Sequence, residues 1–453
     1  MVEVELTSRE IVKPSSPTPA HLKKFDLSLI DQLMPPVYYS SIIFYYDLSN
    51  SPGNRYTPTI SSKMRQSLSQ TLSHFYPLAG RIRGNLHVEC NDEGALYSEA
   101  RVDCHLAEFL SIPDLEALGK FRPVPTISTV PVEEAVQVAV QVNVFSCGGI
   151  AICVSLLHKL ADGTLIGAFA KRWASICNGC YTKQPPSHYY REASLLFPPR
   201  SMLPNHASNW LLFVNGSKGR AGRYVFDPSS MSKLKARASS SSVPNPTAIE
   251  ALSAFMWKHL VQAGKVKSGA TSKPSSLISH AVNLRSRMDP VLPEHSIGNI
   301  FWKAYAHVDD QAADAASEAK LVELLRKSLS KIDSRYLERM QGDEGVSVIS
   351  KWLEEAGRLY GKCAPSYYAF SDWCKLSSYE VDFGWGKPGW VSPGCMDLGT
   401  IINGAYFVES ASKGGAEVWL ILDEEEMRAL EGDQEFLAFA SINPSISGCI
   451  MEE

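Results

Sequence analysis

The sequence lacks an excess of charge of either sign. Its 453 residues include 44 basic and 48 acidic side chains, which gives a formal net charge of −4. Proteins that bind nucleic acids or membrane surfaces usually carry a basic excess or a basic stripe. We therefore expect neither a nucleic acid nor a membrane as a partner, and a small molecule fits this composition better.

A long uninterrupted apolar run is also missing. Residues 1–10 mix charged and apolar side chains and show no apolar core of a secretory signal. The most apolar stretch, residues 136–157, is interrupted by polar residues and by Gly148-Gly149, so it predicts two strands rather than a membrane span. The ten cysteines form no small-domain disulfide framework, which favours a reducing, cytoplasmic location.

One pair of cysteines has the spacing of some redox and metal sites. Cys177 and Cys180 form a C-x-x-C motif, but zinc would need a second pair nearby and a thioredoxin-like site would need its own strand-helix context. The pair falls where a predicted helix should end, and Gly179 suits the cap of that helix. We therefore interpret the pair as structural and expect no metal site.

Common catalytic signatures are absent as well. The chain contains no G-x-S-x-G, H-E-x-x-H or G-x-x-x-x-G-K-[ST] motif, which argues against the common hydrolases, metalloproteases and P-loop enzymes. Residues 384–389 match the dinucleotide fingerprint G-x-G-x-x-G literally. Because Trp385 and Pro388 lie inside the match and no helical pattern follows, we do not assign it to nucleotide binding.

Patterns of strands and helices alternate along the chain. A chain of this length is longer than a single hydrophobic core usually supports, so two domains are expected. We predict an α/β protein with mixed sheets, in which a connector over 201–221 joins an N-terminal domain, 1–200, to a C-terminal domain, 222–453. The spacing of apolar residues predicts strands over 3–12, 35–46 and from 222, two strands within 137–157, and helices over 60–74, 229–238, 248–263 and after 162.

The residue with the clearest catalytic potential is His158. It lies where an apolar strand ends, four residues before Asp162, which can cap the helix that follows. A neutral imidazole, with an ordinary pKa of about 6.5, can take a proton from a hydroxyl or amine and pass it to a leaving group. The spacing alone equally allows a structural histidine beside a helix cap, and it cannot establish a pair with Ser155.

A second motif favours the catalytic role of His158 over the structural one. His158-x-x-x-Asp162-Gly163, followed more than two hundred residues later by Asp382-Phe-Gly384-Trp-Gly386, resembles the paired signature of the plant BAHD acyltransferases. The similarity extends over nearly the whole chain and is strongest to a branch in which many members acetylate alkaloids. Further similar segments are residues 12–19, 29–33, 74–81, 283–288 and 298–299.

The resemblance implies a fold and an activity. The fold would consist of two similar-sized, chloramphenicol acetyltransferase-like domains with an active-site channel between them. The activity would be transfer of an acyl group, with acetyl expected, from an acyl-CoA co-substrate to a hydroxyl of a plant metabolite such as an alkaloid or terpenoid. The enzyme would be a monomer without a permanent cofactor.

Three alternatives stay open at this stage. Transfer to an amine needs the same general base. A catalytically silent interaction protein of the same family is a second possibility, although the intact His158 speaks against it. A carrier-protein-dependent condensation domain is a third, but its site typically has two adjacent histidines, and Leu157 occupies the extra position here.

The resemblance also implies roles for individual residues near the reaction. His158 would be the general base in a ternary complex without an acyl-enzyme, and Trp373 with Ser371 would line the region of the oxyanion. Asp162 would turn away from the cavity and pair with Arg285.

Other implied roles concern the domain contact and substrate binding. Lys258 would bind the phosphates of coenzyme A, since phosphates need cations. The residues expected to be structural are Asp382, Gly384 and Gly386, and those expected to line the acceptor pocket are Tyr38, Phe301 and Trp302.

Overall fold

The computed structural model describes residues 2–48, 56–181, 191–201, 219–269, 275–309, 316–342, 344–363, 366–394, 396 and 403–446. Its strands are β1 (Val4–Val12), β2 (Lys24–Asp26), β3 (Tyr39–Tyr46), β4 (Arg81–Arg83), β5 (His87–Glu89), β6 (Ala95–Val102), β7 (Val138–Phe145), β8 (Ile150–Leu157), β9 (Gly219–Phe226), β10 (Ser276–Asn283), β11 (Phe301–Val308), β12 (Tyr367–Asp372), β13 (Trp390–Pro393), β14 (Gly404–Glu409), β15 (Ala416–Asp423) and β16 (Ser441–Ile442). Its helices are α1 (Leu29–Gln32), α2 (Pro58–His74), α3 (Leu106–Ser111), α4 (Gly163–Asn178), α5 (Glu192–Leu196), α6 (Pro228–Arg237), α7 (Ala248–Ser268), α8 (Glu318–Ser330), α9 (Ser334–Gln341), α10 (Gly345–Cys363), α11 (Glu424–Glu431) and α12 (Gln434–Leu437).

Two large sheets organise the chain. The first has the strand order β1-β6-β7-β8-β3-β13, and the second has the order β11-β10-β12-β14-β15-β9-β16. In the first sheet β6 and β7 pair in parallel, and in the second β12 pairs in parallel with both β10 and β14. The remaining pairs are antiparallel, so the predicted mixed sheets are confirmed.

Each sheet buries one face against helices. In the first half, Trp173 of α4 donates its indole N–H to the carbonyl of Met64 in α2 at 3.1 Å, and Phe75 packs on Phe169 with 5.5 Å between ring centroids. In the second half, buried side chains of α7 such as Trp257 and Phe255 pack in a separate core with α11 and the sheet. Two such cores fit a chain that is too long for one.

A strand from the second half of the sequence completes the first sheet. β13 pairs antiparallel with β3, so that Trp390 lies opposite Tyr45. The predicted division at 201–221 did not include this crossover, because a pairing between distant segments leaves no local pattern in the sequence. Residues 202–218 of the predicted connector lie outside the described residues, and β9 begins at Gly219, three residues before the predicted strand.

The elements with strong periodicity agree with the sequence predictions. α2 and α4 occupy the predicted positions, and β7 and β8 are separated at Gly148-Gly149. Gly179, with φ of +77°, ends α4 in the left-handed conformation that favours glycine. Cys177 is buried and Cys180 is exposed, and neither forms a disulfide.

The described residues offer neither a metal site nor a membrane-spanning helix. No group of three or more His, Cys, Asp or Glu side chains there is arranged to hold a metal ion. In the same part of the chain, no helix combines the length and the apolar character that crossing a membrane requires.

Candidate active site

His158 lies at the contact between the two halves of the molecule. It directly follows β8, and its backbone N–H donates to the carbonyl of Tyr38 at 2.7 Å. Its ring centroid is 5.6 Å from that of Tyr38, in the first half, and 5.8 Å from that of Phe301, at the start of β11 in the second half. Two of the three predicted pocket residues therefore flank the candidate base.

The surroundings of His158 favour its neutral form. Burial lowers the pKa of the imidazole below its ordinary value of 6.5. A hydrogen bond to its own backbone, the charge of Asp162 and a contact with Asn299 oppose that shift, whereas the charge of Lys303 adds to it. Since burial outweighs the opposing contributions, the imidazole is ready to accept a proton near neutral pH.

The backbone of His158 is fixed by a buried polar network. Asn299 donates its side-chain N–H to the carbonyl of His158 at 2.8 Å and to Oδ1 of Asp31 at 2.7 Å. Asp31 also accepts the backbone N–H groups of Asn299, at 2.6 Å, and of Ser28, at 2.8 Å. Gly298, with φ of +111°, has no room for a side chain, because an added Cβ would lie 2.6 Å from Ala193. The loop before β11 is thereby held against the histidine.

Asp162 performs three structural tasks at once. Its Oδ1 accepts the backbone N–H of Leu165 at 3.0 Å and caps α4. Its Oδ2 accepts from Nη1 of Arg285 at 2.6 Å and from the backbone N–H of Ile300 at 3.0 Å. Both partners of the ion pair are almost fully buried. The structure thus brings together Asp162 and Arg285, the pair that the family resemblance implies.

Trp373 and Ser371 lie at the end of β12, next to the start of α4. The indole N–H of Trp373 donates to Oγ of Ser371 at 3.1 Å. A Cβ added to Gly163, the residue after Asp162, would be 3.7 Å from the same indole nitrogen. These two potential donors therefore lie beside the helix that begins immediately after the His158 loop.

Trp302 is in a different environment from Phe301. Adjacent residues of a strand point to opposite faces of the sheet. Accordingly, Trp302 packs against Trp352 at 4.6 Å between ring centroids and donates its indole N–H to the hydroxyl of Tyr336 at 3.2 Å. Trp302 belongs to an apolar cluster on this other face of β11, against which Phe301 also packs, and this position does not agree with the prediction that Trp302 lines the pocket beside His158.

Lys258 is already neutralised by carboxylates. Its Nζ lies 2.8 Å from Oε1 of Glu435 and 3.5 Å from Oε1 of Glu318. Arg237 pairs with the same two glutamates, and the four side chains form one ion cluster. The expectation of a freely available cation for phosphates does not agree with this geometry, because a phosphate would have to displace Glu435.

The second predicted motif builds a tight turn. Oδ1 of Asp382 accepts the backbone N–H of Gly384 at 2.7 Å and that of Gly386 at 3.0 Å. Phe383 is buried between Trp173, at 4.8 Å between ring centroids, and Tyr46, at 6.1 Å. The turn thus joins the first core immediately before β13, and its contacts fit the predicted structural role.

Four polar residues near the site were not singled out in the sequence. Asp31 and Asn299 hold the His158 loop. The ammonium group of Lys159 donates to the carbonyls of Gln32 and Met34 at 3.0 and 2.8 Å. Burial lowers the pKa of Lys159 to about 8 and that of Lys303 to about 7. Ser28 and Asp31 have the spacing of a capping box, and this was the one available signal in the sequence.

Comparisons with known proteins identify relatives over nearly the whole chain. The model of the transferase family matches residues 2–437. The chain is 35% identical over 455 residues to akuammiline synthase 2 of Alstonia scholaris, with 98% of both proteins covered. It is 36% identical over 463 residues to limonoid 7-O-acetyltransferase of Citrus sinensis, with 98% of this chain and 99% of the relative covered.

A relative of known structure also matches the chain over nearly its full length. The crystal structure of vinorine synthase superposes with a TM-score of 0.79 at 32% sequence identity, over 98% of this chain and 100% of that one. The two-domain α/β fold is therefore confirmed. Because the family model and these relatives match almost the full length, the chain belongs to the transferase family of the BAHD acyltransferases.

Proposed function

We propose that the protein transfers an acyl group from an acyl-CoA co-substrate to a hydroxyl group of a plant specialised metabolite. We expect acetyl-CoA as the donor and an alkaloid or terpenoid alcohol as the acceptor. The observation that carries the proposal is the position of His158, which is kept neutral at the contact of the two halves. The name of the limonoid 7-O-acetyltransferase supports both the acetyl group and the oxygen acceptor.

The proposed reaction takes place with both substrates bound. His158 takes the proton of the acceptor hydroxyl, and the oxygen attacks the carbonyl carbon of the thioester. The tetrahedral oxyanion then collapses, the carbon–sulfur bond breaks, and the imidazolium gives its proton to the departing thiolate. The products are an ester and free coenzyme A, and no acyl group is carried by the enzyme.

Two further side chains have proposed roles in this step. The indole N–H of Trp373 and the hydroxyl of Ser371 are donors that would stabilise the oxyanion, a contribution that is often large in acyl transfer. Before substrates bind, the single indole N–H of Trp373 is donated to Oγ of Ser371 at 3.1 Å, so the indole would have to give up this bond to reach the oxyanion. The hydroxyl of Ser371 can accept that bond and donate its own proton at the same time. Asp162 and Arg285 would act only on the position of the His158 loop.

Substrate binding is proposed in part from the aromatic residues. Tyr38 and Phe301 would form the walls on both sides of the acceptor hydroxyl. Coenzyme A would reach Lys258 only by exchanging one of its carboxylate partners for a phosphate. We expect the enzyme to be a cytoplasmic monomer that needs no resident cofactor.

The proposal is tested with purified protein, acetyl-CoA and a panel of alkaloid, terpenoid and phenolic alcohols. Release of the coenzyme A thiol is followed together with the mass of the ester. We expect wild-type turnover with some of these alcohols, and a loss of at least about a hundredfold in the variant His158→Ala. This variant should bind coenzyme A as tightly as the wild type in calorimetry, because the imidazole acts on the acceptor.

His21→Ala, which removes an exposed histidine, is the matched control and should retain full activity. Full turnover by His158→Ala would contradict the general-base role. Wild-type thiol release no faster than that of His158→Ala with every acceptor would instead favour a catalytically silent protein.

A further inference from the structure

A cavity of about 180 Å³ lies at the β1 edge of the first sheet. Its floor contains a row of directly opposite residues from three strands, Arg9 of β1, Ser98 of β6 and Gln141 of β7. Residues directly opposite each other in a sheet have their side chains on the same face, so these three side chains share one space. Lys120 and Arg122 form the other side of the cavity.

This cavity is separate from the candidate active site. Gln141 is the member of the row closest to β8, and it lies opposite Cys153. Cys153 precedes His158 by five residues, which corresponds to about 16 Å along a strand. Ser98 and Arg9 lie one and two strands further away in the sheet order. A molecule in this cavity would therefore not contact the imidazole.

An irregularity in β1 turns Arg9 towards the cavity. The register between β1 and β6 shifts by one residue between Leu6 and Ser8. Without this shift, Ser8 would lie opposite Ser98, and with it Arg9 takes that position. Such bulges change the face to which a side chain points, and here the change places a guanidinium group beside the serine.

The hydroxyl of Ser98 is buried without a hydrogen-bond partner among the described residues. Ser98 is only 1% exposed, and it lines the cavity. Buried polar groups almost always have a partner, because a group that has lost its water and gained nothing in return destabilises the fold. A polar molecule in the cavity would supply the missing partner.

The charge around this serine is positive. The cavity is lined by three cationic side chains and by none of the carboxylates that the structure describes. The nearest acidic residues of the strands are turned to the other face of the sheet, where Glu10 and Glu99 lie 3.3 and 3.2 Å from Arg65 of α2. Arg9 forms no ion pair with any described residue. The cavity therefore favours an anion.

The segment opposite the sheet is held in place by hydrogen bonds. Gln141 donates from Nε2 to the carbonyl of Lys120 at 3.0 Å, and the ammonium group of Lys120 donates to the carbonyl of Val2 at 2.7 Å. Nη1 of Arg122 donates to the hydroxyl of the buried Thr126. An ammonium group has three N–H donors, so Lys120 can still donate to a ligand.

We propose that this cavity binds a phosphate group, to which Arg9, Lys120 and Ser98 donate hydrogen bonds while Arg122 adds positive charge. The donors belong to the edge strand, to the floor of the sheet and to the segment opposite it. Donors from several directions suit a tetrahedral anion better than a planar carboxylate, and the guanidinium group matches the geometry of phosphate oxygens.

The size of the cavity agrees with this ligand. A water molecule takes up about 30 Å³ in the liquid, so the cavity has room for the five non-hydrogen atoms of phosphate and for a small group attached to it. The phosphate can thus be free or part of a small phosphate monoester. Such a site is additional to acyl transfer, and its test needs no turnover.

Binding is measured by calorimetric titration of the purified full-length protein in a buffer without phosphate. Inorganic phosphate, glycerol 3-phosphate and acetate are compared at constant ionic strength, because salt screens exposed charges. We expect a Kd of about 1 mM or lower for at least one of the two phosphate compounds, and a Kd at least about tenfold higher for acetate. The phosphate compound that binds more tightly shows whether the site takes free or esterified phosphate.

Three variants assign the binding to this cavity. Arg9→Gln should raise the Kd at least about tenfold, because it removes a charged donor. Ser98→Ala should raise it about threefold, yet the melting temperature without phosphate should stay the same or increase, because an unpaired buried hydroxyl is removed. Arg101→Gln is the matched control, since Arg101 is an exposed arginine on the other face of β6, and it should bind like the wild type.

Melting curves establish that each variant is folded. No binding of either phosphate compound by the wild type at about 10 mM, or equal affinity for acetate and phosphate, would overturn the inference. An unchanged phosphate affinity in folded Arg9→Gln and Ser98→Ala would also overturn it, because the anion would then bind elsewhere, for example at the site of coenzyme A.

Discussion

At the scale of single residues, burial has the largest effect on the pKa of the His158 imidazole, and nearby charges modify it. Asp162 attracts a proton to His158, but its carboxylate is committed to Arg285 and to backbone N–H groups. Burial and the nearby charge of Lys303 act in the opposite direction, and the pKa of His158 is lowered. The histidine is thus kept as a base, whereas a close unpaired carboxylate would have kept it protonated.

The lowered pKa predicts the pH dependence of the reaction. Protonation removes the base, so log kcat/KM should be level above the pKa and fall with a slope of about one as pH drops through it, at a pH below 6.5. Lys303→Met removes a positive charge that lowers this pKa, so the acid limb should move to higher pH. Values of kcat/KM measured between pH 5 and pH 8 for the wild type and Lys303→Met test this shift. An acid limb of the variant that stays in place or moves to lower pH would contradict the prediction.

At the scale of structural elements, the His158 loop is fixed from three directions. Tyr38, directly before β3, holds the start of the loop by accepting the backbone N–H of His158. α4 holds its end through the cap by Asp162, and the loop before β11 supports it through Asn299. A parallel bridge between Ala161 and Gly298 adds a backbone contact. The position of the imidazole is therefore set by elements from both halves of the chain.

Removing the charge of Asp162 tests this arrangement. Asp162→Asn leaves the guanidinium of Arg285 buried without a counter-charge, which typically costs about 3–5 kcal/mol. We expect a clear fall in melting temperature and a loss of soluble protein. Asp227→Asn is the matched control, since Asp227 also caps a helix but has no buried arginine. The double variant Asp162→Asn with Arg285→Met should recover part of the stability, and normal melting of Asp162→Asn would refute the argument.

At the scale of the whole molecule, the two sheets are joined by a buried polar cluster. Arg223 of β9 donates to both oxygens of Glu417 in β15, at 2.8 and 2.7 Å. Trp390, which belongs to the first sheet, donates its indole N–H to Glu417 at 3.3 Å, and its ring lies 5.2 Å from the guanidinium. Trp419 donates to the same carboxylate at 3.1 Å. One glutamate therefore connects both sheets.

This cluster predicts a large effect from a single substitution. Glu417→Gln should lower the free energy of unfolding by about 3–5 kcal/mol, because Arg223 would remain buried without its partner. Glu424→Gln, which disrupts an exposed pair with Arg428, should change it by less than about 1 kcal/mol. Urea unfolding followed by tryptophan fluorescence compares the two, and equal stability of both variants would show that the cluster contributes little.

Local motifs and periodic segments could be predicted from the sequence. The helix cap at Asp162 and the boundaries of α2 and α4 follow from short-range spacing. Distant contacts could not be predicted in the same way. The partners of Lys258 are 60 and 177 residues away, and nothing near the lysine indicates them.

A strand pattern also leaves its orientation open. Phe301 and Trp302 are both aromatic, so residue type does not show which of them contacts His158. The answer depends on which face of β11 is turned towards the histidine. The sequence does not single out Lys303 either, because a lysine within a strand is more often on a solvated surface.

The crossover strand β13 has a consequence for any attempt to divide the protein into parts. Every residue of β3 is buried, and β13 covers the edge that this strand would otherwise expose. A fragment that ended at residue 201 would leave the four residues of β3 that pair with β13, residues 42–45, as a bare apolar edge, which is a template for association with other chains. The first half is therefore unsuited to separate expression, and a peptide with the sequence of residues 389–394 is the natural ligand for that exposed edge.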